Sequence, residues 1–162
     1  MTSSNLIGQE KAMGQLQRFL KQGIPQSLLF YGPEGVGKKT AAKLLVQTAL
    51  CEEKTGEKPC HVCSSCVRLM SNNHPNCHLL APEGTSHKIE TIRQLLHLLS
   101  FKPYEEGSLF VLIDEAEKMT EAAANALLKT LEEPPPFVIF ILITGVPGML
   151  PATILSRCQK IS

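Results

Sequence analysis

With 162 residues, 43% of them hydrophobic and 19% charged, the chain has material for one sizeable core. A net charge of +1 excludes a global field directed at nucleic acid or membrane, so any contact with DNA must run through a local patch or a partner. The N-terminal stretch MTSSNLIGQEKAMGQLQRFL has no apolar run of signal-peptide type, and nothing is long enough to span a bilayer. A cytoplasmic location is expected, and the six cysteines are then not expected to form structural disulfides.

In chain order, SLLFYG (27–32) is a short apolar run ending in glycine, suited to a buried strand. KKTAAKLLVQTALC (38–51) carries apolar residues at helical spacing. A polar, cysteine-rich insert follows from Glu52 to about Asn73, and CHLLAP (77–82) reads as a second strand. KIETIRQLLHLLSF (88–101) is a helix with Ile89, Ile92, Leu95, Leu96 and Leu99 along one face. SLFVLIDE (108–115) is a third strand ending in two carboxylates. TEAAANALLKTLEE (120–133) is a helix capped by Thr120 and stopped by prolines. FVIFILIT (137–144) is a strand too uniformly apolar to have a solvated face, PATILSR a short helix, and CQKIS the start of a fifth strand. Such alternation with doubly buried strands predicts an α/β fold, a five-stranded parallel sheet with helices on both faces.

The loop GPEGVGKKT (32–40) nearly matches the phosphate-binding pattern of glycine, four residues, glycine, lysine, then serine or threonine. Gly32, Gly37 and Lys38 fall in place, but the hydroxyl position is Lys39 and Thr40 comes one residue late. Between a strand and a helix, backbone N–H groups and a helix N-terminus can wrap a polyphosphate while Lys38 neutralises it. Gly32, Gly35, Gly37, Lys38, Lys39 and Thr40 are the candidate nucleotide-binding residues. The hydroxyl normally sits on Mg²⁺, and one step along a helix turns a side chain by about 100°, so Thr40 is no substitute. The loop is suited to holding phosphate and poorly suited to Mg²⁺-dependent hydrolysis.

The third strand delivers Asp114 and Glu115 to the sheet's carboxyl edge beside that loop. In a nucleotide hydrolase the first acid supports Mg²⁺ and the second orients water, whereas the simpler reading has both acids capping the next helix. Cys51, Cys60, Cys63 and Cys66 are spaced C-x8-C-x2-C-x2-C, which can close a tetrahedral Zn²⁺ site. His61 could replace one ligand, although a fully sulfur set needs no histidine. Cys77 and Cys158 read as small buried hydrophobes, and His74, His78, His87 and His97 as ordinary surface or core histidines. Arg157 has two readings: it satisfies the carbonyl end of a short helix, or it reaches a neighbour's γ-phosphate.

Together the phosphate loop, DEAEKMTEAAANALLKTLEEPP (114–135), SRC (156–158) and the four-cysteine insert resemble bacterial DNA polymerase III clamp loaders of the AAA+ superfamily. NHPNCHLLAPEG (73–84) resembles the delta-prime branch rather than gamma/tau. The resemblance implies a RecA-like P-loop core working in a heteropentameric ring with gamma/tau and delta types, which loads a sliding clamp onto primed DNA. It implies little ATPase activity of the chain's own and gives Arg157 the role of a finger in trans to the neighbouring motor. Asp114 and Glu115 remain intact, which in such a subunit makes them vestiges of hydrolysis, and the family's polar nucleotide sensor falls at Thr144 or Gly145. The family's lid and collar are missing from the chain, so 1–162 is expected to be one nucleotide-binding-type module with a zinc module inserted at about 51–70. Expected cofactors are Zn²⁺ and weakly held ATP or ADP, without productive Mg²⁺. The alternative is a gamma/tau-like motor that hydrolyses ATP itself. A zinc-dependent nucleic-acid binder finds little support in the scattered Lys54, Lys58 and Arg68.

Overall fold

A computed structural model describes residues 9–53 and 57–162; Lys54 therefore lies outside the described residues. The sheet is built from β1 (Ser27–Tyr31), β2 (Cys77–Leu80), β3 (Leu109–Ile113), β4 (Val138–Thr144) and β5 (Gln159–Ile161). Its order is β2-β3-β4-β1-β5, and every pairing is parallel.

Two cores explain why β3 and β4 read as unbroken apolar runs. On one face Val111, Ile113, Phe140 and Leu142 pack against α4 (Ile89–Leu98), α5 (Glu121–Glu132) and α6 (Ala152–Leu155) through Ile92, Leu95, Leu127 and Ile154. On the other, Phe110, Leu112, Ile139 and Ile141 meet α1 (Glu10–Gln22), α2 (Lys38–Leu50) and α3 (Ser64–Met70) through Leu16, Leu45 and Leu69. Neighbouring strand residues point to opposite faces, so burying both faces requires every position to be apolar. The expected fold class is the observed one.

Thr120 caps α5, its Oγ1 accepting from Ala123 N–H at 3.1 Å. After α5 the proline turn is pinned by Gln26, whose amide donates to the Pro135 carbonyl at 2.9 Å. Helices α1 and α3 add to the expected elements. In α1, Ala12 and Leu16 are buried, with Met13, Phe19 and Leu20 packed beside them. Cys158 is buried as expected, but Cys77 on the edge strand β2 is only half-buried. Among the described residues no helix is long and apolar enough to cross a membrane.

Strand order positions the site. β4 lies between β1 and β3, with Tyr31 beside Thr144 and Ile113 beside Leu142. The loop after β1, the acids after β3 and the end of β4 therefore meet at one carboxyl edge, where open α/β sheets bind ligands.

Candidate nucleotide site and cysteine cluster

The loop after β1 turns through Gly32, Gly35 and Gly37, with φ of 145°, 78° and 89°. A side chain at Gly35 or Gly37 would meet left-handed strain, so the tight wrap depends on glycine there. Gly37 is the N-cap of α2 and contributes no side-chain cap. Lys38 Nζ donates to the carbonyls of Gly32 and Pro33, each at 2.7 Å, folding back across the loop. The cavity enclosed is about 700 Å³ and is lined by the loop, Asp114, Glu115, Glu117 and the end of β4. Thr40 lines it as well.

Lys39 and Asp114, far apart in sequence, meet here: Lys39 Nζ lies 2.7 Å from Asp114 Oδ2. Asp114 Oδ1 accepts from Glu115 N–H at 3.1 Å. Glu115 sits at φ 47° and ψ 51°, a left-handed conformation uncommon for a residue with a side chain and found disproportionately at functional sites. Its carboxylate pairs with Lys118, and that hydrogen bond raises the Lys118 ammonium pKa.

Three contacts at this edge escaped the sequence reading. Glu117 Oε1 accepts from Gly145 N–H at 3.2 Å, while its buried Oε2 has no protein partner. The buried His87 donates from Nε2 to the Asp114 carbonyl at 2.6 Å, fixing the backbone that carries the acid. Thr144, a sensor candidate, is buried, and its hydroxyl accepts from Val146 N–H at 3.0 Å. Alternating strand-end residues give no cue to these pairings, because the partners come from separate loops.

Arg157 does not line this cavity. Its Nη1 donates to the Thr153 carbonyl at 2.8 Å, as the helix-end reading requires, and its Nη2 to Glu132 Oε1 at 2.9 Å. The side chain is 34% exposed. An exposed pair of this kind contributes about 0–1 kcal/mol, so the guanidinium can leave it at small cost.

In the insert, Cys51, Cys60, Cys63 and Cys66 bring their Sγ atoms within 4.8 Å of one another. Cys60 Sγ and Cys66 Sγ are 4.0 Å apart, close to the edge of about 3.8 Å that a tetrahedron with Zn–S bonds of about 2.3 Å would have. Backbone N–H groups of Cys60, Cys63 and Cys66 point at Cys51, Cys60 and Cys63 sulfurs over 3.4, 3.2 and 3.4 Å. Such donors orient and stabilise thiolates. Burial pushes Cys66 up to about 12. At Cys63 burial also pushes upward, but backbone N–H groups of Cys66 and Glu52 and the neighbouring thiols outweigh it and hold the thiol at about 6. His61 takes φ 63° between two of the cysteines and is absent from the cluster.

Behind the cluster lies a polar network that the sequence reading missed. Ser65 Oγ and His74 Nε2 are 3.0 Å apart, and Arg68 grips Glu105 with two bonds of 2.6 and 3.1 Å. His74 is thus a tie between the insert and the core. His97, by contrast, is exposed and meets Phe101 edge-on, as a surface histidine should.

A β2-β3-β4-β1-β5 parallel sheet, with a phosphate loop after β1 and an acid pair after β3, defines a P-loop protein of the AAA+ class. Within that class, the family model described as DNA polymerase III, delta subunit, matches residues 8–162, and the chain belongs to this family. DNA polymerase III subunit delta' of Bacillus subtilis is 41% identical over 141 residues, covering 87% of this chain and 43% of that protein. Subunit tau of the same organism is 35% identical over 157 residues, 96% of this chain and 28% of tau. The solved DNA polymerase III gamma subunit-related protein of Thermotoga maritima superposes with a TM-score of 0.65 at 24% identity, over 93% of this chain and 45% of its own. The chain spans less than half the length of each.

Proposed function

We propose that the chain is a delta-prime-type clamp-loader subunit, helping to load a sliding clamp onto primed DNA during replication. It works in the cytoplasm, in a heteropentameric ring with gamma/tau and delta types. The observation that carries this reading is the Lys39–Asp114 contact of 2.7 Å, because an ammonium engages the very acid that hydrolysis would assign to Mg²⁺. Own turnover is then weak or absent. Arg157 supports the same division of labour: it stands outside its own pocket on an exposed ion pair with Glu132 and a helix-end bond to the Thr153 carbonyl, from which it can swing as a finger for a neighbour's γ-phosphate. Residues 1–162 form one module of the AAA+ type, and Zn²⁺ on Cys51, Cys60, Cys63 and Cys66 clamps the insert at about 51–70.

A gamma/tau-like motor is the second reading. It is favoured by the acid pair, since Asp114 and Glu115 both still face the cavity. The two readings part on ATP turnover by the full-length protein, measured alone and then inside a reconstituted loader. Negligible turnover alone with stimulation of the ring is the expected result. Vigorous turnover alone would establish the motor.

A further inference from the structure

Mg²⁺ does not fit this pocket. The ion demands near-octahedral oxygen ligands at about 2.0–2.1 Å. The position that would supply a hydroxyl is Lys39, and its ammonium lies 2.7 Å from Asp114 Oδ2, both filling the place and neutralising the carboxylate. Glu115 is paired with Lys118, and Glu117 spends Oε1 on Gly145 N–H, which leaves Oε2 as its one unpartnered oxygen, too few oxygens for an octahedral ion.

The first turn of α2 carries a second clue. It contains no acidic residue and instead starts with Lys38 and Lys39. A helix N-terminus is already the positive end of the dipole, so two ammonium groups there are mutually unfavourable unless an anion joins them. Asp114 answers one of them. Among the described residues Lys38 is bonded to the neutral carbonyls of Gly32 and Pro33, which phosphate oxygens can replace.

We propose that this pocket takes a nucleoside di- or triphosphate in its metal-free form, with the Lys39 ammonium serving as the resident cation in place of Mg²⁺. The inference rests on the nucleotide-pocket reading. A free polyphosphate carries two more negative charges than its Mg²⁺ complex; Lys38, bonded to neutral carbonyls, brings one uncompensated positive charge, and Lys39, shared with Asp114, brings a donor ammonium beside it. Lys39 bridges Asp114 and the phosphates, and no hydroxyl or metal is needed. In solution, added Mg²⁺ then competes with the protein for free nucleotide rather than assisting it.

The test is calorimetric titration of the protein with ADP and with ATP, in EDTA and in excess Mg²⁺. We expect binding in EDTA to be tighter, with Mg²⁺ weakening ATP on the order of tenfold, the fold-change of one charge-assisted contact. Lys39→Thr should reverse the sign, so that Mg²⁺ strengthens binding. Asp114→Asn, which leaves Lys39 in place, should keep binding in EDTA. Wild-type binding that requires Mg²⁺ would overturn the inference while leaving the nucleotide pocket standing. Absence of binding under both conditions would remove both.

Discussion

The phosphate loop and the cysteine insert both gather groups that call for a cation, yet they meet the demand in opposite ways. Around the loop, each paired acid is answered by a lysine of the same chain, Asp114 by Lys39 and Glu115 by Lys118. In the insert the four sulfurs face one another and backbone N–H groups. Cys63, held at about 6, ionises readily, whereas Cys66, pushed up to about 12 by burial, does so only when a cation compensates. One region therefore carries its counter-charge in its own sequence, and the other gathers four sulfurs that could hold a metal ion. A side-chain cation can hold an anion in place but cannot offer open coordination positions. The same difference separates a binding pocket from a catalytic one.

The largest effect expected from this division lies outside both regions. If the self-neutralised pocket does not turn over, the chain's catalytic contribution is exported through Arg157. Arg157→Ala should depress ATP hydrolysis at the adjacent motor site of a reconstituted loader on the order of a thousandfold, with a smaller loss for the whole ring. Fold and nucleotide affinity of the mutated chain should stay nearly unchanged. A melting curve and a loader ATPase assay on the same variant decide it. An unstable variant that supports full ATPase would reduce Arg157 to the helix-end contact with Thr153.

Zinc removal comes next. We expect one equivalent of Zn²⁺ after purification under reducing conditions. A strong chelator, or Cys63→Ser, should loosen the insert to proteolysis. Because the insert adds Leu69 of α3 to one main core and most of both cores is built from other elements, their melting temperature should fall by only about 2–4 °C, the equivalent of about 1 kcal/mol. Disulfides within the quartet, with no metal uptake on adding zinc back, would break the comparison at its acquired-cation end.

Much of this was legible in the chain, for physical reasons that differ by region. VIFILIT announces a doubly buried strand because both faces of β4 are covered, and the cysteine spacing announces the cluster because its ligands are local. The misplaced lysine was readable as a defect of the loop. That its ammonium reaches Asp114 was not, since the contact depends on β4 inserting between β1 and β3. Helix α1 escaped because its surface is mostly polar, although Met13, Leu16 and Leu20 do fall at helical spacing. In α3 the cysteines and serines mask the period. The roles of His74, His87 and Glu117 rest on partners in other segments, and no local pattern marks them.

His74 tests how the insert is tied to the core. Burial lowers its pKa, with Arg68 adding to the effect and Glu105 opposing it. Its Nδ1 accepts from Asn76 N–H at 3.0 Å, which a protonated ring cannot do. Unfolding frees the ring to bind a proton, so the unfolded chain holds more protons once pH falls below about 6.5. Stability should therefore decline from pH 7 toward pH 5, and His74→Gln should flatten part of that slope in thermal melts. An unchanged slope would show that protonation of this ring is not what the fold resists.

The smallest effect is the most pointed. The Lys39–Asp114 pair could be read as a stabilising salt bridge rather than as a cation held for a ligand. Its lysine is 46% exposed, and pairs in such surroundings contribute about 0–1 kcal/mol. Lys39→Ala should accordingly shift the melting temperature of the ligand-free protein by no more than about 2–4 °C. The same variant should lose much of the added thermal stability that ADP confers in EDTA, because ligand linkage scales with affinity. A large loss without ligand, equal to that seen with it, would make the contact a structural bridge. In that case Lys39 would no longer be the counterpart of the zinc proposed for the cysteines, and the contrast between the two regions would fail at the phosphate loop.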